Sequence, residues 1–445
     1  MSPPFPELLA ITLWLGATIA AIWRGWGYSR VGDPTGTLLP LAWVARLAFA
    51  WGMTAWYLWL QPGGDLNEHY AMLRQWLALF GTDGDTAWRL YTTYDPRTLP
   101  DYDALSARYI RLLPYLNDPE SLHHVRLLLP LGLLGGGTLF GTVGWVALLS
   151  MAALWYTYRT LAWRYPTAKL SFAAIWLFYP SGLFWANGLQ KEALLLSALG
   201  ITLAALLRLR ADVPVTQRWG GLAVAAAVLV LCLPIRHVMA ASVLLAMCLA
   251  FLWLGLRALW GHDLPAQLAL ALLLVLGSGG IWLGLHTHPY LFHLALVTRA
   301  DHLVNALQAG ASHVVDIGNF HLTVWGVWAQ VPAALGAVWL WPLPWRVQDG
   351  WTALYSLENV LIALWVVIFL VQLSRRKRWS ELLGKPVSIA LLVTGLALTT
   401  YIGLSIVTAG SIARYKVLGV PLVLTALTVA TRRRLSRTPQ PEVHP

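Results

Sequence analysis

Charge is scarce in this chain. Asp, Glu, Lys and Arg make up 11% of the residues and hydrophobic types 58%, where a soluble domain carries about 25% charged residues. That excludes an ordinary water-soluble enzyme and leaves an all-α, polytopic integral membrane protein. Cysteine is nearly absent. Cys232 and Cys248 both lie inside apolar runs, which argues against a disulfide framework and against a zinc site. A cleavable leader is not expected, because the run from Phe5 to Trp23 has no basic segment before it and no small-residue cleavage site after it. Lysine is missing from residues 61–126. The net charge of +11 sits largely in short loops between apolar runs, so it speaks to topology rather than to nucleic acid.

What is present is a series of apolar runs. They predict about eleven transmembrane helices, over 5–23, 38–60, 139–161, 168–186, 190–209, 219–235, 237–257, 264–285, 352–373, 386–408 and 414–431. Residues 1–445 read as a single transmembrane domain. Basic residues at Arg159, Arg164 and Lys169, at Arg208, Arg210 and Arg218, at Arg257, and in the clusters 375–378 and 432–434 mark cytoplasmic loops. The N-terminus and a large first loop, 61–138, then lie outside. That loop holds nine of the twenty acidic residues before position 127 and reads as short helices and turns. Its end, 127–137, is apolar and glycine-rich but too short to span. Residues 286–350 form a second extracytoplasmic loop. Within it, the run 322–341 is interrupted by Pro332 and is expected to be a re-entrant or surface-lying helix. A full crossing there would place the basic cluster 375–378 outside. No inverted repeat of the transporter kind is visible.

The chain is organised around residues 178–210, where two apolar runs meet at a polar knot. Asn187, Gln190, Lys191 and Glu192 sit between segments long enough to enter a bilayer. Ionisable residues there are costly unless paired, wet or used. The plainer reading makes Lys191 and Glu192 interfacial markers of a span end. With the spans oriented, the other unusual charges fall on the same outer side: Asp65, Glu68, His69 and Tyr70; Arg236 and His237; Arg414, Tyr415 and Lys416. A carboxylate near the membrane surface can serve as general base on a sugar hydroxyl. Cations can hold the phosphate of a lipid-linked donor and stabilise the leaving group. Asp65 and Glu68 are three apart and share a helix face; Asp65 as a simple helix cap is the competing reading. His286, His288, His293, His302, His313 and His321, with Asp301 and Asp316, match no standard zinc spacing, so they read as a polar loop and no metal ligand is assigned.

Several segments resemble the GT-C superfamily of membrane glycosyltransferases. Gly64-Asp65-Leu66-Asn67-Glu68-His69-Tyr70-Ala71 resembles its acidic motif in the first large loop. Ala413-Arg414-Tyr415-Lys416 through Pro421 resembles the start of a late span in bacterial members. Residues 180–193, from Pro-Ser to Lys-Glu-Ala, are similar to a segment of bacterial proteins of cell-envelope polysaccharide synthesis. Trp341-Pro342-Leu343-Pro344-Trp345 and Leu357-Glu358-Asn359 fit the same group. The resemblance implies a GT-C-like fold in a bacterial inner membrane. It implies an inverting transfer of a sugar from a polyprenyl phosphate or diphosphate donor to a glycan or lipid acceptor on the extracytoplasmic face. Asp65 would be the base, with Glu68 as neighbour or substitute. Asn187, Lys191, Glu192, Arg236, His237, Arg414, Tyr415 and Lys416, with His69 and Tyr70, would bind substrate. A divalent cation is the one cofactor left open. The alternatives are a polysaccharide polymerase or ligase relying more on arginines, and a lipid-linked glycan flippase. A flippase needs polar residues along several spans, and the expected span interiors are almost free of charge.

Overall fold

The computed structural model describes residues 5–29, 36, 38–60, 64–109, 113–208, 214–235, 323–375 and 386–431, with scattered positions from 286 to 318 and at 379 and 382. The described residues are all-helical apart from one isolated antiparallel bridge between Val314 and Thr408. Among the described residues six helices are long and apolar enough to cross a bilayer: Pro6–Arg24, Leu38–Trp59, Leu139–Arg164, Val215–Cys232, Gly350–Arg375 and Val387–Ser405. Ala409–Tyr415 and Val420–Thr431, bent by 49°, make a seventh if the pair counts as one span. This is the architecture of an α-helical membrane protein.

Expected spans 237–257 and 264–285 lie outside the described residues. Two others take a different form. The run 168–186 is broken into Lys169–Trp176 and Pro180–Trp185, the second opening on a proline in its first turn. A proline lacks the N–H that would continue the preceding helix. The run 190–209 is a helix of 17 residues, Lys191–Leu207, about 25 Å long at 1.5 Å per residue. The helix Val324–Trp339 runs through Pro332 for 16 residues, about 24 Å, short of a hydrocarbon core of roughly 30 Å.

The chain groups into two compact units, residues 1–158 with 176–240, and 159–175 with 241–445. In the first, α1 (Phe5–Ser29) and α2 (Leu38–Ala55, continued by a π-helical turn to Leu60) are joined by Trp43 Nε1 donating to Thr18 Oγ1 at 3.1 Å. Then come α3 (Gly64–Thr82), α4 (Gly84–Thr92), α5 (Tyr102–Tyr109), α6 (Pro119–Leu134) and α7 (Leu139–Arg164). Asp83 caps α4, and Asp118 followed by Pro119 opens α6, both favoured helix starts. Arg126 binds the carbonyls of Leu90, Thr93 and Tyr94 at the C-terminal end of α4. The first turn of α7 is capped from α1: Leu139 N and Phe140 N donate to the Glu7 carboxylate at 2.8 and 3.1 Å. A carboxylate at a helix N-terminus takes up orphan N–H groups and suits the dipole. The helix α8 (Lys169–Trp176) falls almost wholly in the second unit, as does the end of α7 from Arg159, and the first unit resumes with α9 (Pro180–Trp185), α10 (Lys191–Leu207) and α11 (Val215–Cys232).

The second unit carries α12 (Val324–Trp339), α13 (Gly350–Arg375), α14 (Pro386–Ser405), α15 (Ala409–Tyr415) and α16 (Val420–Thr431). Its helices approach through glycines. A Cβ on Gly395 would lie 2.6 Å from Val423 Cγ2 and 2.8 Å from the Gly419 carbonyl, and one on Gly403 would lie 2.2 Å from the Ala334 carbonyl. Small residues at such crossings let backbones pack closely where the hydrophobic effect gives no drive. Val315 N donates to Val407 O at 2.7 Å and Ala409 N to His313 O at 3.0 Å, fastening an extended piece beside α15. Asp349 opens α13 by accepting from Thr352 N at 2.8 Å and pairs with His313 at 2.9 Å. The Thr352 N–H, then His313, hold its carboxyl down at about 2.

Candidate functional site

The first unit places six of the twelve expected site residues, Asp65, Glu68, His69, Asn187, Lys191 and Glu192, on α3 and on the bend that opens α10, with the start of α6 against them. Gly64 begins α3, so Asp65 lies inside the first turn rather than at the capping position. Glu68, one turn on, accepts the Tyr115 hydroxyl. Burial raises Tyr115 above the ordinary phenol range; the Glu68 hydrogen bond comes next, followed by the charges of Glu68, Asp65 and Asp118. Tyr115 therefore stays a proton donor amid three carboxylates.

Asp118, whose charge also bears on Tyr115, reaches the polar knot through Ser121. It accepts from Glu120 N at 3.1 Å and Ser121 N at 3.3 Å, and also takes the Ser121 hydroxyl proton at Oδ2. Ser121 Oγ in turn accepts from Lys191 Nζ at 2.8 Å. Ammonium donates to hydroxyl and hydroxyl to carboxylate, one hydrogen-bonded run that ends on Asp118 as acceptor. Lys191 opens α10, and its side chain is buried.

The bend itself, residues 186–190, is non-helical. Gly188 sits there at φ +60°, where a Cβ would also meet the Met53 methyl at 2.8 Å. The Leu189 carbonyl accepts from two imidazoles, His69 Nδ1 at 3.0 Å and His124 Nε2 at 2.9 Å. A carbonyl only accepts, so both nitrogens carry protons and the tautomers of the two rings are fixed. The rings meet edge to face with centroids 4.6 Å apart. Asn187 is wholly buried. Its Oδ1 accepts from Arg46 NH1 at 3.0 Å, and its Nδ2 donates back to the Arg46 carbonyl at 3.3 Å and to that of Leu183. Glu192 is wholly buried beside Lys191 in the first turn of α10.

Other expected site residues fall elsewhere. The Tyr70 hydroxyl is shared between Glu7 Oε1 at 3.3 Å and the Gly137 carbonyl at 3.1 Å, tying α1 to the turn before α7. Arg236 and His237 lie outside the described residues. Arg414, Tyr415 and Lys416 belong to the second unit. The Arg414 guanidinium lies 5.4 Å from the centre of the Tyr415 ring. Lys416 is 1% exposed, with its ammonium 2.7 Å from Glu358 Oε1 and 2.6 Å from Asn359 Oδ1. Asn359 Nδ2 donates to the Trp341 carbonyl at 2.6 Å. Among the described residues no three His, Cys, Asp or Glu side chains come together as metal ligands. Of the loop histidines only His286 and His313 are described.

Sequence reasoning missed Arg46, Tyr115, Asp118, Ser121 and His124. Arg46 is the largest omission. It is 1% exposed and lies within the apolar span 38–59. Its NH1 donates to Ser150 Oγ at 2.8 Å and to the Ala186 carbonyl at 2.7 Å, besides Asn187. The signal was one arginine inside an otherwise apolar run. With Glu358 inside α13, it corrects the expectation that span interiors are almost free of charge. Comparison with family models, characterised proteins and solved structures found no match to this chain.

Proposed function

We propose that the chain is a membrane glycosyltransferase of the GT-C type. It transfers a sugar from a polyprenyl-phosphate or polyprenyl-diphosphate donor to an acceptor hydroxyl on the extracytoplasmic face, in cell-envelope glycan synthesis. The observation that carries the reading is the hydrogen-bonded run from Lys191 through Ser121 to Asp118, with α3 held against the same bend by His69 Nδ1 donating to the Leu189 carbonyl. A base and a phosphate-binding cation must lie close together for this reaction, and one cluster in the first unit supplies both types.

The acceptor oxygen attacks the anomeric carbon as Asp65 takes its proton. The bond from that carbon to the phosphate oxygen breaks, and the carrier phosphate leaves with the electron pair. Attack opposite the leaving group inverts the anomeric centre. Lys191 stabilises the charge that develops on the leaving phosphate, an electrostatic contribution of the oxyanion-hole kind. Glu68 accepts from the Tyr115 hydroxyl and is the neighbouring carboxylate that could take over as proton acceptor. Tyr115 then orients the acidic group rather than titrating with it.

A polymerase or ligase acting on lipid-diphosphate repeat units is the second reading, and buried Arg46 is the observation that favours it. The test common to both is Lys191→Ala, assayed by transfer of radiolabelled sugar from lipid-extractable donor to polymer in reconstituted vesicles. Loss of one charge-assisted contact to a developing phosphate lowers the rate on the order of 10²–10³-fold. Near-normal turnover would return Lys191 to the role of a span-end anchor.

A further inference from the structure

Among the described residues no carboxylate pairs with the charge of Arg46. All three hydrogen-bond partners of its side chain are neutral oxygens: a hydroxyl, a main-chain carbonyl and a side-chain amide. No ion pair to it occurs among the described residues. Its Nε is buried with no hydrogen-bond partner among them. At 1.5 Å per residue, Arg46 lies about 12 Å from the Leu38 end of its span and about 20 Å from the Trp59 end. A guanidinium at such depth is expensive when uncompensated, and charged residues at membrane depth mark ligand pathways by default.

The surroundings share this polarity. The bend 186–190 places irregular backbone against Arg46, and backbone of that kind is tolerated at membrane depth where protein or a polar cavity surrounds it. The 17-residue helix α10 begins just beyond, and its N-cap residue Gln190 makes no side-chain capping bond. The positive end of that helix and Lys191 follow directly on the bend that Arg46 holds through Ala186 and Asn187. Asn187 keeps the arginine in place by a reciprocal pair of hydrogen bonds while adding no charge. Aspartate in its place would have the same size and would pair with the arginine, at the loss of the two hydrogen bonds that Nδ2 donates to the Arg46 and Leu183 carbonyls.

We infer that Arg46 is an anion-binding residue of the bend, held without a counter-ion so that a phosphate or diphosphate group supplies one. The inference rests on the reading of the bend as a phosphate site, and it extends that site from Lys191 to a second cation on α2. It needs no transfer step, so it can fail or stand apart from the enzymatic reading.

The experiment measures binding of farnesyl diphosphate and of inorganic diphosphate to the full-length chain in detergent micelles by titration calorimetry. Wild type is expected to bind, Asn187→Asp to bind about tenfold more weakly, and Arg46→Gln more weakly still. A tenfold loss corresponds to about 1.4 kcal/mol. Should Arg46→Gln fail to fold, Asn187→Asp decides, because it retains the arginine and gives it an ion pair. Full competition by inorganic diphosphate identifies the free anion as sufficient; no competition identifies the lipid-borne group; either supports the inference when the binding depends on residue 187. Equal affinity in wild type and Asn187→Asp, or no binding of either probe, overturns it and leaves Arg46 a structural clamp. Arg46-dependent binding with no sugar transfer would keep this inference and sink the glycosyltransferase reading.

Discussion

Asp65→Asn is expected to lower sugar transfer by roughly 10²–10⁴-fold, the usual contribution of a general base. The substitution keeps the size and most hydrogen bonds of the side chain but removes its ability to accept the acceptor's proton. It does little to the fold. Asp65 lies in the first turn of α3 and not at its cap, where the helix dipole favours a carboxylate by about 0.3–1 kcal/mol. Carrier binding should be kept, since Lys191 and Arg46 are untouched. The measurement pairs initial transfer rate with carrier affinity on the same preparation. If Asp65→Asn is active while Glu68→Gln is dead, the base is one helical turn along, at the carboxylate that Tyr115 contacts. If both variants turn over normally, this loop supplies no general base and the reaction class is wrong.

The largest effect on stability is expected in the second unit. Lys416→Ala should destabilise the folded protein by about 3–5 kcal/mol, because it takes the counter-charge from a buried carboxylate. Glu358 is 7% exposed and its Oε1 lies 2.7 Å from the lysine nitrogen. The double variant Lys416→Met with Glu358→Leu removes both charges and should recover most of the loss, since apolar replacement of a buried pair is often neutral or better. Unfolding midpoints in detergent, with denaturant titration, compare the three proteins. A Lys416→Ala variant within about 0.5 kcal/mol of wild type would show that Glu358 finds another partner, and this part of the account would fail.

How much of this was written in the sequence depends on the range of each interaction. Hydropathy placed α1, α2, α7, α13 and α14 within a few residues, because burial in lipid needs only a continuous apolar run. Local caps were legible too: Asp118 before Pro119 marks a helix start by short-range chemistry alone. The broken run at Pro180 could have been read from the proline, yet its mean apolarity suggested a single span. The site was half legible. Asp65, Glu68 and Lys191 stand out as charges at span ends. Their connection does not, because Ser121 lies 70 residues before the lysine it meets. Arg46 bonds across 104 and 140 residues to Ser150 and Ala186. Glu7 caps a helix 132 residues away. No periodicity or local spacing encodes such pairs; they arise when helices pack. The same holds for Lys416, whose partner Glu358 lies on a different helix and turns an apparent surface cation into a buried ion pair.

The central claim is that a lipid-borne phosphate binds at the bend between α9 and α10, beside the acidic turn of α3. The most direct test is an experimental structure of the full chain in lipid nanodiscs with a polyprenyl phosphate. The account predicts the phosphate within hydrogen-bond reach of Lys191 Nζ, with Asp65 facing the space where an acceptor hydroxyl would lie. A carrier phosphate held only by residues of the second unit, such as Arg414, with the bend and Lys191 still closed onto Ser121, would contradict it.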